Sequence, residues 1–143
     1  MGRTTKQVII WLLNAWVGIA FVYAGTLKLM DLEGFVSSIL TYGVFDFGQS
    51  VIIASWVAPL EVIAGLGVLL KRTRSGGSFI LTALLVVFLV MIFQAYMRGL
   101  EIDCGCFGGD GSEESDYLGL IVRDKFMLFS LVGAYFLEKR WQK

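Results

Sequence analysis

The chain has 143 residues, of which 57% are hydrophobic and only 17% charged, with a formal net charge of zero and a mean hydropathy of +0.74. A soluble domain usually carries about 25% charged residues, so the composition points to lipid as the solvent, and the lack of a basic field excludes a nucleic-acid partner. The chain has no histidine, which removes the commonest general base and the usual haem and zinc ligand.

A membrane-crossing helix needs about 20 mostly apolar residues. The first such run covers residues 7–29. It carries no charge before Lys28, and Asn14 is its one strongly polar interruption. It is longer than a signal-peptide core of about 7–15 residues, and no clean small-x-small cleavage site precedes Lys28, so it is expected to be retained as a helix. Between Glu33 and Tyr42, helical spacing puts Phe35, Ile39 and Tyr42 near one face, with Ser37 and Ser38 elsewhere. That pattern fits a short helix lying in the membrane interface; an irregular loop is the other reading. The second run, residues 49–70, is charged only at Glu61, and the third, residues 76–97, is uncharged.

The fourth run is weaker. Residues 126–137 are uncharged but too few to cross, so a span here must begin near Tyr117 and take in Arg123, Asp124 and Lys125 (residues 117–137). Small residues recur inside the runs, such as Ala20 and Ala24, Ala64 and Gly65, Gly133 and Ala134, and would let helices approach closely. The expected architecture is a single all-α membrane domain over residues 1–143, a four-helix bundle.

Loop charges orient that bundle. The N-terminus (Arg3, Lys6), the second connection (Lys71, Arg72, Arg74) and the C-terminus (Lys139, Arg140, Lys143) are basic. The first connection (Asp31, Glu33, Asp46) and the third (Glu101, Asp103, Asp110, Glu113, Glu114, Asp116) are acidic. The positive-inside rule then puts both termini in the cytoplasm and the third connection outside.

Ionisable groups at membrane depth are costly and often mark function. Glu61 lies ~16 Å into its span at 1.5 Å per residue. It is either protonated, or paired with Lys28 or Arg123, or lining a polar cavity. Lys28 and Lys125 can instead snorkel to the surface, and Arg123 and Asp124 can pair structurally. Pro59, two residues before Glu61, removes a backbone donor, and a kink there would open a pocket beside the carboxylate.

The only cysteines are Cys104 and Cys106, one glycine apart. They are the only strongly nucleophilic side chains available near neutral pH. As a structural staple a Cys-x-Cys disulfide is poor, because it closes almost no chain. Its small ring is strained and easily reduced, which suits thiol exchange. Two thiolates can also hold a soft ion such as Cu(I), though no histidine or methionine lies close in sequence to complete such a site. Redox exchange, metal handling and an inert pair all remain open at this point.

Four stretches resemble the MauE/DoxX family of bacterial redox-associated membrane proteins: Phe21 to Asp31, Ala58 to Gly65, Asp103 to Gly108, and Val122 to Asp124. The Cys-Gly-Cys-Phe-Gly element is the most specific of them. The resemblance implies a four-helix bundle in the bacterial inner membrane. It also implies electron exchange between an extracytoplasmic thioredoxin-fold partner and the membrane, with quinone as acceptor and no metal cofactor. On this expectation Cys104 and Cys106 are catalytic, and Lys28, Glu61, Arg123 and Asp124 hold the quinone. Membrane thiol oxidases of the DsbB and VKOR type use two cysteine pairs, whereas this chain has one. Two rival functions are a binding or transport protein for a thiophilic metal or metalloid, and a non-catalytic membrane assembly factor.

Overall fold

Short polar punctuation cuts the apolar chain into helices, and the computed structural model describes five of them over residues 2–100 and 117–141. In order they are α1 (Arg3–Met30), α2 (Leu32–Thr41), α3 (Phe47–Leu69), α4 (Arg74–Met97) and α5 (Tyr117–Trp141), with no strand among the described residues. Asp31 ends α1 and starts α2: its N–H donates to the Leu27 carbonyl, and its carboxylate accepts from the Gly34 N–H. A side chain at Gly34 would crowd that carboxylate and make it shift. Asp46 and Gln49 form a reciprocal capping box that starts α3.

The α3–α4 turn answers the carbonyls that the end of α3 leaves open. Thr73 Oγ1 donates to Gly67 O at 3.0 Å and Arg74 Nε to Val68 O at 3.3 Å. Gly99 has φ +65° and closes α4 with two bonds, Gly99 N–H to Tyr96 O and Leu100 N–H to Ala95 O, a Schellman ending that needs the left-handed conformation. Arg98 Nη1 reaches across to donate to the Tyr42 carbonyl at 3.1 Å, tying this end of α4 to the end of α2.

Helices α1, α3 and α4 are each long and apolar enough to cross a membrane. The surface is apolar in keeping: Trp56, Phe79, Phe93 and Phe129 are exposed, while Lys28, Glu61, Arg74 and Asp124 are buried. Exposed apolar surface on this scale marks a lipid-facing protein. α5 has 25 residues and begins at Tyr117, where the expected fourth run begins, but it is not among the helices apolar enough to count as a span. α2 buries Phe35, Val36 and Ile39, packing them with Ala54 and Ala58 of α3; it is a helix, and Tyr42 just beyond it is buried too.

α1 packs on α3 and α5, and α4 packs on the same two helices. α3 meets its neighbours almost backbone to backbone. A Cβ on Gly65 would lie 2.9 Å from Gly18 O of α1, and one on Gly77 of α4 would lie 2.7 Å from Val68 N and 2.8 Å from Ala64 O. Backbone atoms cannot swing aside, so Gly77→Ala is expected to pry α3 and α4 apart and cost about 1–3 kcal/mol. Gly76→Ala is the control, since nothing lies within 4 Å of a Cβ there. Thermal unfolding of the two variants in detergent should separate them. Beside this contact, Val17, Phe21, Val68, Leu81, Leu85, Met127 and Leu131 form the largest shared core.

Candidate functional site

The close approach of α1 to α3 decides which buried charges meet. With Gly25 facing Ala58 and Val62, Lys28, one turn further along α1, comes level with Glu61. Its ammonium donates to both carboxylate oxygens, at 2.7 Å to Oε1 and 2.8 Å to Oε2. The two residues are 3% and 1% exposed, so Lys28 does not snorkel. The ammonium also lies 4.8 Å from the centroid of Phe35 (α2) and 4.7 Å from that of Phe88 (α4). Ring faces carry negative potential, so the two aromatics stabilise a cation that has left water. Three elements besides α1 thus converge on one lysine.

On α5, Arg123 Nε and Nη2 donate to Asp124 Oδ1 at 3.1 and 3.0 Å. Asp124 is buried. All four charged residues line one small cavity with Ala20, Ala24, Leu85 and Met127, so every long helix contributes to it. The structure therefore brings Lys28, Glu61, Arg123 and Asp124 together, as two ion pairs around a shared space. Pairing with Lys28 and lining a cavity are the two readings of Glu61 that the geometry combines.

The cavity measures about 30 Å³, room for one or two water molecules. A quinone ring does not fit there, and the Lys28 ammonium is already engaged by Glu61. A roomier space lies on the other side of the same aromatics. A cleft of about 270 Å³ between α2, α3 and α4 is walled by Phe35, Phe45, Val57, Phe88 and Met91. Its volume and lining suit an apolar ring or tail. Phe88 lines both spaces, and Phe35 lines the cleft while its ring also faces the ammonium. Nothing in the sequence singles out Phe88 within its uncharged run; only the packing of α4 on α3 reveals its part.

Cys104 and Cys106 lie outside the described residues, as does the rest of the acidic segment 101–116 that joins α4 to α5. By connectivity that segment leaves from the end of α4 and enters α5 six residues before Arg123.

The family described as methylamine utilisation protein MauE matches the chain over residues 6–137. A curated relative, the methylamine utilization protein MauE of Paracoccus denitrificans, is 27% identical over 103 residues, 71% of this chain and 55% of the relative. The chain thus spans about half the length of the curated relative it matches. No solved structure matches the chain.

Proposed function

The chain belongs to the MauE family of membrane proteins, and from that premise we propose that it is a membrane thiol–disulfide oxidoreductase with Cys104 and Cys106 as its redox pair. The observation that carries the reading is that the chain's only two cysteines stand one glycine apart in a single inter-helix segment. On this reading α1, α3, α4 and α5 form a four-helix bundle in a bacterial inner membrane. Both termini are cytoplasmic and segment 101–116 is outside, in keeping with the alternation of basic and acidic connections.

A thiolate of an extracytoplasmic thioredoxin-fold partner attacks one sulfur of the Cys104–Cys106 disulfide, forming a mixed disulfide and releasing the other cysteine as a thiolate. The partner's second thiol then attacks the mixed disulfide. The partner leaves as a disulfide, and Cys104 and Cys106 remain as a dithiol holding the two electrons and two protons. A quinone supplies the chemistry that regenerates the disulfide, taking up those two electrons and two protons. The cleft walled by Phe35, Phe45 and Phe88 has the room and lining to hold its ring; the cavity at Lys28 and Glu61 does not. The buried Lys28–Glu61 pair then serves as a fixture that ties α1 to α3, while Arg123 and Asp124 pair within α5 beside the same cavity. Methylamine utilisation, the role in the family's description, is the process this exchange would serve.

A trap tests the reading. Cys104→Ser and Cys106→Ser, made separately, each remove one of the two thiols needed to complete the exchange. One of the two is expected to accumulate a covalent partner visible on non-reducing gels and lost on reduction. Recovering no adduct from either variant would contradict thiol exchange.

A further inference from the structure

At the opposite end of the helices, the start of α1, the α3–α4 turn and the last turns of α5 enclose a pocket of about 500 Å³. Its charged residues are Lys71, Arg74 and Glu138, with Gln7 and Trp11 on the α1 side. Arg74 is 8% exposed, yet its guanidinium has only the Val68 carbonyl as a hydrogen-bond acceptor among the described residues, through Nε. Arg74 lines the pocket, and its remaining guanidinium donors are open to an anion there. α4 begins at the same point. The hydroxyl of its N-cap, Thr73, is committed to Gly67 O, so no side chain caps this helix start, and the helix dipole adds positive potential there.

From these features we propose that the pocket binds the headgroup of an anionic phospholipid, its phosphodiester held by Arg74 and Lys71. Two cations against one carboxylate leave a single positive charge, which an anionic lipid neutralises and a zwitterionic one does not. Glu138 then accepts from a headgroup hydroxyl. A lipid is favoured over free phosphate because the pocket rim runs into an exposed apolar stripe. Val8, Leu12, Trp16, Ile19 and Tyr23 share one face of α1 and are each half exposed or more, giving acyl chains a track down the helix. Basic pockets between membrane helices recognise anionic headgroups in this way.

The test uses the full chain in detergent, titrated with phosphatidylglycerol or phosphatidylcholine and read by native mass spectrometry. Phosphatidylglycerol adducts should survive where phosphatidylcholine adducts dissociate. Arg74→Gln and Lys71→Gln should each weaken phosphatidylglycerol retention about fivefold. Lys71 is exposed, so its variant keeps the test valid if Arg74→Gln fails to fold. Arg72→Gln, a charge removed from the same turn but not lining the pocket, should leave retention unchanged. Equal retention of the two lipids, an equal loss in Arg72→Gln, or displacement of the lipid by millimolar inorganic phosphate would each overturn the proposal.

Discussion

Lys28→Met is expected to be among the most destabilising single substitutions in the described residues, at about 3–5 kcal/mol. The lysine donates to both oxygens of Glu61 at 2.7 and 2.8 Å, and neither residue reaches the surface. Methionine fills a similar volume, so the loss does not come from a cavity. It comes from leaving a carboxylate inside the helices with no counter-charge. The second half of the prediction separates this account from simple repacking. Adding Glu61→Leu removes the stranded carboxylate, and the double variant should regain most of the stability that Lys28→Met lost, because a buried ion pair and an apolar pair of like volume are often nearly equivalent. The measurement is a double-mutant cycle on thermal or denaturant unfolding in detergent. Strong non-additivity is expected; additive losses would mean that the pair does not act as a unit.

The second large effect concerns function rather than stability. Replacing both cysteines by serine should abolish electron exchange with the partner, taking it to background, while the thermal unfolding midpoint stays close to that of the parent chain. Serine is nearly isosteric with cysteine but forms no disulfide at all. A Cys-x-Cys crosslink closes so little chain that it adds little to stability. The Lys28→Met/Glu61→Leu variant provides the converse. It keeps both thiols, so it should retain exchange once folded, with any loss tracing to the packing of α1 on α3. The readout is the redox state of the partner in membranes, scored alongside unfolding. If the double-serine variant still supported exchange, the cysteines would not be the redox pair.

Much of the fold is written in hydropathy and punctuation. Long apolar runs mark α1, α3 and α4, and Asp31 and Asp46 mark the starts of α2 and α3. α2 was half visible, because Phe35 and Ile39 repeat at helical spacing, and the contact with Ala54 and Ala58 explains the burial of that face. The site was less legible. The sequence offers Glu61 two cationic partners, and only the glycine-set register of α1 on α3 selects Lys28 over Arg123. The rings of Phe35 and Phe88 around Lys28 come from two other helices, α2 and α4, and no local pattern can announce that. Arg74 reads as an ordinary loop cation, yet its burial depends on the Gly77 contact that draws α4 onto α3. The space a proline kink would open beside Glu61 is water-sized, and the cleft that can take a ring lies one aromatic layer away.

The central claim is that Cys104 and Cys106 cycle between disulfide and dithiol against an acceptor in the membrane. Differential alkylation in isolated membranes tests it most directly. Free thiols are blocked with one reagent before reduction and newly exposed thiols labelled with a second, after adding a dithiol donor and then a soluble quinone. The account predicts that both cysteines become alkylatable together with the donor and are protected together once quinone is added. A pair whose labelling responds to no donor and no acceptor would contradict it.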